Sequence, residues 1–139
     1  MIIMAIDYGD VRTGVAVCDK FEMLASPVCV IEQRNSEKLI AQIADLAIKH
    51  KVEQFVVGLP KNMNSSMGER AEKCFMFADE LSKATGIAAV MRDERLSTVS
   101  AHNVLNATNT RGKKRKAVVD QVAAVMILQD YIDFRKNQG

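Results

Sequence analysis

Apolar positions open the chain as Met1-Ile2-Ile3-Met4-Ala5-Ile6, give way at Asp7-Tyr8-Gly9-Asp10, and resume after Gly14 as Val15-Ala16-Val17. A first run this short, followed by β-branched valines and punctuated by Gly9 and Gly14, predicts two strands joined by a polar turn. Asp7 then closes the first strand. Aspartate is an ordinary turn residue; a carboxylate directly after a buried strand, with a glycine two residues on, is also well sited to meet a metal ion or a phosphate. At this point both readings stand.

The pattern continues with a third strand over residues 23–31, interrupted by Ser26-Pro27. Proline cannot donate to a ladder, so this strand belongs at a sheet edge or a bulge. Asn35 or Ser36 caps a helix that runs to about His50 and buries Ile40, Ile43, Ala44 and Ala47 at helical spacing. The continuous apolar run over residues 52–58 suits a strand covered on both faces. Ser66 and Glu69 match a capping box that starts a second helix, with Ala71, Phe75, Ala78 and Leu81 inward and Gly86 as its left-handed stop. A fifth strand is expected over 87–91, a polar turn over 92–96, and a short helix from Ser97 or Thr98 to about Asn106. Residues 107–116 read as a basic loop, and a last, largely apolar helix as 117–136.

Strands one, four and five, linked by two strand-helix-strand crossovers, should lie parallel with right-handed connections, giving with the opening hairpin a mixed sheet of α/β class. The carboxyl ends of parallel strands share one edge, the usual ligand crevice of an open α/β sheet. That edge would collect Asp7, residues 58–62 and the pair Asp93-Glu94.

Length and composition narrow the class. At 139 residues, 48% hydrophobic and 26% charged, the chain suits one soluble globular domain over residues 1–139. The absence of an apolar run near 18 residues, and of a signal-type N-terminus, predicts no membrane association and a cytoplasmic location. Cys18, Cys29 and Cys74 are odd in number and widely spaced, so they are expected to be reduced. Net charge is only +2, but Arg111, Lys113, Lys114, Arg115 and Lys116 concentrate positive charge in one short stretch. Such a cluster is either a solvated loop or a patch that contacts phosphates.

Asp120 joins the candidate carboxylates. Its place in the first turn of the last helix would by itself be explained by the helix dipole, yet it sits on an otherwise apolar face beside Val119 and Ala123. If Asp7, Glu94 and Asp120 converge, like charges about 4 Å apart repel by roughly 4 kcal/mol at an effective dielectric near 20. Oxygen ligands of this kind suit Mg²⁺ or Mn²⁺, and a pair of such ions can activate water and stabilise the leaving oxygen of a phosphodiester. A basic segment nearby would hold the phosphate backbone.

Four motifs make the chain similar throughout to the YqgF (RuvX) family: Ile6-Asp7-Tyr8-Gly9 through Arg12 and Gly14-Val15-Ala16-Val17; Val57-Gly58-Leu59-Pro60-Lys61-Asn62-Met63; Asp93-Glu94-Arg95-Leu96-Ser97-Thr98; and Asp120-Gln121-Val122-Ala123-Ala124 with Ile127-Leu128-Gln129. The chain departs from the family pattern at Asn64-Ser65, where Asp-Gly is common, and at Gln121, where a small residue often stands. The resemblance implies a ribonuclease H-like three-layer fold with a mixed five-stranded sheet. It implies a metal-binding trio of Asp7, Glu94 and Asp120, favouring Glu94 over its neighbour Asp93, that holds two Mg²⁺ or Mn²⁺ ions. The implied activity is maturation of the 5′ end of precursor 16S rRNA by a nuclease, with Holliday junction resolution on branched DNA as the alternative. A non-catalytic RNA-binding assembly factor is a third reading. Arg12, Lys61, Asn62 and Arg95, with the basic cluster, are the candidates for nucleic-acid contact, and a branched DNA substrate would favour a homodimer over a monomer.

Overall fold

In the computed structural model, residues 1–59, 67–93 and 112–138 are described. Five strands and three helices occupy them: β1 Ile3–Asp7, β2 Arg12–Cys18, β3 Ala25–Glu32, α1 Ser36–His50, β4 Gln54–Leu59, α2 Met67–Thr85, β5 Ala89–Asp93 and α3 Gly112–Gln138. The sheet order is β3-β2-β1-β4-β5. β1 pairs antiparallel with β2 and parallel with β4, and β4 pairs parallel with β5. The expected mixed five-stranded sheet is present, and the carboxyl ends of β1, β4 and β5 share one edge.

Period-two alternation divides β1 between two layers. Met4 and Ile6 join Phe55, Val57 and the inner faces of α1 and α2 in one apolar cluster. Ile3 and Ala5 join Ala16, Val56 and the α3 residues Ala124, Ile127, Leu128 and Ile132 in the other. Small residues on both sides of the second layer, Ala5, Ala16 and Ala124, are fully buried and let α3 lie close to the sheet.

Local sequence accounts for the boundaries. Asn35 is the N-cap of α1 and its side chain accepts from the Lys38 amide at 3.0 Å. Gly86 takes the left-handed conformation at φ +72, and its amide donates to the Ser82 carbonyl at 2.8 Å. β3 is an edge strand, and its register against β2 slips between Val15 and Ala16, opposite Cys29 and Pro27. Pro27 thus stands beside an irregularity at an edge, where a missing donor is tolerated.

Three expectations need correction. α2 turns Cys74, Phe77, Ala78 and Leu81 inward, while Phe75 is 52% exposed and Ala71 only partly buried. Phe75, Met76 and Phe77 are consecutive and apolar, so hydropathy alone could not choose the stripe, and packing on the sheet did. β5 spans Ala89–Asp93 rather than 87–91, because its ladder with β4 begins at Phe55 and Ala89. α3 begins at Gly112, so Lys113, Lys114, Arg115 and Lys116 are helical rather than part of a loop. The short helix expected after Ser97 lies outside the described residues.

At the amino edge of β1, the turn between β2 and β3 is tied to α3. Glu22 accepts from Arg135 Nε at 2.5 Å and from the terminal amine of Met1 at 3.0 Å. The Arg135 hydrogen bond, helped by that amine and opposed by partial burial, holds the Glu22 carboxyl below its ordinary value of 4.5. A lowered native value means that the stabilisation is complete above the unfolded value and disappears as pH falls through the native one. Glu22→Gln should therefore lose less stability than the parent between pH 6 and about 3, read from urea midpoints at both pH values; equal losses would exclude the clasp as an acid-sensitive contact.

Candidate active site

Asp7 is the last residue of β1 and is half-buried at the carboxyl edge of the sheet. Alternation puts its position in step with Ile3 and Ala5, on the layer covered by α3. Tyr8, the next residue, belongs to the opposite layer: its ring stacks on Phe77 of α2 at 4.2 Å and 7°.

The turn after Asp7 is held from several directions. The Gly9 amide donates to Thr13 Oγ1 at 3.4 Å, and Thr13 is fully buried. The Gln33 amide donates to the Val11 carbonyl at 2.8 Å, tying the turn to the end of β3. Arg70 of α2 donates to the Tyr8 carbonyl and to Asp10 Oδ1, the latter at 3.0 Å, and its guanidinium lies 5.3 Å from the centre of the Tyr8 ring. Lys73 approaches the same Asp10 oxygen at 3.8 Å. Asp10, read from sequence as a turn residue, is also the anchor of this turn on α2. Burial raises the Tyr8 phenol above its ordinary value, against the lowering effect of Arg70.

Gly9 is required by space. A Cβ built there would run into the Arg12 carbonyl oxygen, which is backbone and cannot swing aside. Gly9→Ala should open the turn and displace Asp7, lowering catalytic turnover by about 10²-fold, the scale of a 1 Å misplacement. Its stability loss should be no more than about 1–3 kcal/mol. Parallel rate and urea measurements check this, and a variant with normal turnover would show that the turn does not position the site.

Asp120 is the ninth residue of α3, not a first-turn residue. The helix dipole falls off within the first turn, so it no longer explains an aspartate there. Position 120 is in helical step with Ala124 and Ile127, both fully buried against the sheet. Direction is fixed by the far end of α3: Tyr131 donates its hydroxyl to Gln54 Oε1 at 3.2 Å, at the amino end of β4. Eleven residues back along the helix is about 16 Å, close to the length of the β4 strand at about 3.3 Å per residue. Position 120 is thereby carried toward the carboxyl edge, on the layer that position 7 shares.

Glu94, Arg95, Lys61, Asn62 and Arg111 lie outside the described residues. Asp93 ends β5, where its position falls in step with Ala89 and Met91 of the α1–α2 layer. Arg12 opens β2 and approaches Glu32 Oε1 of β3 at 3.5 Å, so a carboxylate on the neighbouring strand already pairs with this candidate phosphate contact. Lys113, Lys114, Arg115 and Lys116 form the opening turns of α3, which has no acidic residue in its first turn. Cations there oppose the helix dipole, and a polyanion would relieve that repulsion. Sequence reasoning missed Arg70 and Thr13. Each is distant from the motif it supports or silent within it, and only the packed turn gives them a role.

Among the described residues, no group of three or more His, Cys, Asp or Glu is placed to hold a metal ion. No helix among them is long and apolar enough to cross a membrane.

Comparison with known proteins gives a consistent result. A family profile described as "RuvX: Holliday junction resolvase" matches residues 1–134. A protein of Halothermothrix orenii, named "Putative pre-16S rRNA nuclease", is 46% identical over 135 residues, covering 97% of this chain and 96% of the relative. A protein of the same name from Listeria innocua is 42% identical over 135 residues, covering 96% and 98%. Among solved structures, Thermus thermophilus RuvC in complex with a Holliday junction superposes with a TM-score of 0.65 at 12% identity, covering 100% of this chain and 98% of that one. The fowlpox virus Holliday junction resolvase superposes at 0.58 and 15% identity, covering 96% and 99%. At such identities the structural matches establish a shared fold, that of RuvC-like resolvases.

Proposed function

Because the chain belongs to the RuvX family, whose profile spans residues 1–134, we propose that it is a metal-dependent nuclease that matures the 5′ end of precursor 16S rRNA. Residues 1–139 form one nuclease domain, acting in the cytoplasm where that precursor is made. What supports the substrate is the name shared by full-length relatives at 42–46% identity. What supports the chemistry is the place of Asp7 at the carboxyl edge, on the layer to which α3 brings position 120.

Asp7, Glu94 and Asp120 would hold the ions. Three carboxylates are an all-oxygen donor set, which fits Mg²⁺ or Mn²⁺ and disfavours softer metals. When bound there, such ions would supply Lewis-acid chemistry, activating a water and stabilising charge on the leaving oxygen of the phosphodiester. The chain's own residues do the rest. The turn anchored on α2 and Thr13 fixes the backbone that carries Asp7. Lys113, Lys114, Arg115 and Lys116, with Arg111, bind the phosphate backbone electrostatically. Arg12, Lys61, Asn62 and Arg95 orient the strand being cut.

The family description favours one alternative substrate, a four-way DNA junction. Purified protein offered a 16S rRNA precursor and a four-way junction, each with Mg²⁺, Mn²⁺ or EDTA, separates the readings. Cleavage of the precursor near its mature 5′ end, abolished by EDTA, is expected. Symmetrical junction cleavage alone would transfer the activity to branched DNA, and binding without any metal-dependent product would leave a non-catalytic assembly factor.

A further inference from the structure

We propose that Arg70 is the positioning residue of the Asp7 carboxylate, acting through the Tyr8 backbone. The inference rests on the reading of Asp7 as a metal ligand. Arg70 is the fourth residue of α2, a position where a cation opposes the helix dipole, so its place there calls for a partner other than the helix. It has two, both in the turn that follows Asp7: the Tyr8 carbonyl and the Asp10 carboxylate.

The geometry makes Arg70 one half of a clamp. Arg70 and Phe77 are seven residues apart, two turns on one face of α2. The Tyr8 ring stacks on Phe77 at 4.2 Å, and the Arg70 guanidinium lies 5.3 Å from that ring. Ring, carbonyl and turn carboxylate are therefore all referenced to one rigid helix. Tyr8 directly follows the last residue of β1 and its ring lies on α2, while position 7 falls in step with Ile3 and Ala5 of the α3 layer, so holding Tyr8 against α2 fixes the backbone that gives Asp7 its bearing. Released from α2, the residue pair could rotate about the strand axis and the carboxylate would lose its bearing on α3. A planar fork that donates along two directions while lying near an aromatic ring is a task for arginine rather than lysine.

The test uses Arg70→Ala, Arg70→Gln and Arg70→Lys in the full chain, with Asp7→Asn as reference and Lys73→Ala as control. Lys73 touches Asp10 only at 3.8 Å and is 58% exposed. Mn²⁺ alone is titrated by electron paramagnetic resonance, and cleavage of the rRNA precursor is followed against Mg²⁺ concentration. Expected are a maximal rate lower by about 10²-fold and weaker Mn²⁺ binding in the alanine and glutamine variants. Partial recovery is expected in the lysine variant and parental behaviour in Lys73→Ala. Thermal midpoints should move by only a few degrees, because a partly exposed ion pair adds little stability.

Parental Mn²⁺ binding and rate in Arg70→Gln, while Asp7→Asn loses both, would overturn the positioning role and leave the nuclease reading standing. Parental Mn²⁺ binding and cleavage in Asp7→Asn would overturn the reading of Asp7 as a metal ligand, and with it the positioning role of Arg70. A rate lost only in proportion to unfolded protein, with Mn²⁺ affinity of the folded fraction unchanged, would make Arg70 merely structural.

Discussion

Replacing Asp7 by asparagine is expected to lower metal-dependent cleavage of the rRNA precursor by on the order of 10³-fold or more, the scale of removing a group that acts on transition-state charge, while RNA binding persists. Asparagine keeps the size and one oxygen of the residue but removes its charge, and the basic turns of α3 that would hold the phosphates are untouched. Stability supplies a second readout. Without metal, the carboxylates of the proposed trio would repel by roughly 4 kcal/mol per pair at 4 Å and an effective dielectric of 20, so on that proposal the variant should unfold at or above the parental temperature. Saturating metal reverses the order: at one hundred times its dissociation constant a ligand stabilises the native state by about 2.7 kcal/mol, and Asp7→Asn should forfeit most of that. Melting curves with and without Mg²⁺, beside the cleavage assay, check both halves. A variant that cleaves normally, or gains as much from Mg²⁺ as the parent does, would remove Asp7 from the site.

The framework that presents Asp7 is legible because it depends on local signals. The six-residue apolar run, Gly9 and the β-branched valines fix β1 and β2; Asn35 and Gly86 fix the start of α1 and the end of α2; Pro27 marks the irregular edge. What stayed hidden depends on partners distant in sequence. Phe75 and Phe77 are equivalent in hydropathy, and only contact with the sheet sends one outward and the other onto Tyr8. Arg70 reads as a helix-surface cation, since its partners lie 60 and 62 residues earlier. The start of α3 was obscured because Gly112 and four consecutive basic residues look like a solvated loop; their repulsion and their opposition to the dipole are local penalties that the apolar seam from Ala123 to Ile132 outweighs. That extension also changes the meaning of Asp120. A first-turn aspartate has an electrostatic reason to be where it is, whereas one in the third turn, in step with buried residues, does not. The pattern of the sequence thus located Asp7 by its strand, but the case for its partner on α3 needed the length of the helix.

Phe55→Ala is expected to be the most destabilising of the substitutions considered, by about 3–5 kcal/mol, because Phe55 is the largest fully buried side chain among the described residues. It sits on β4 beside β1, in one apolar cluster with Met4, Ile6, Leu39, Ile43, Phe77 and Leu81, so both covering helices of that layer lose contact when the ring is removed. Against a typical total of about 5–15 kcal/mol this is a large fraction, and the thermal midpoint should fall by roughly 10–20 °C. The cavity opens on the α1–α2 layer, opposite the face to which Asp7 belongs. Turnover of the folded fraction at low temperature should therefore stay within a few-fold of the parent, unlike that of Gly9→Ala or Asp7→Asn. Phe75→Ala is the matched control: the same truncation at a side chain 52% exposed should change stability by no more than about 0.5 kcal/mol. Equal losses in the two variants would mean that α2 turns a different face to the sheet, and with it would go the Phe77–Tyr8 stack that holds the turn after Asp7.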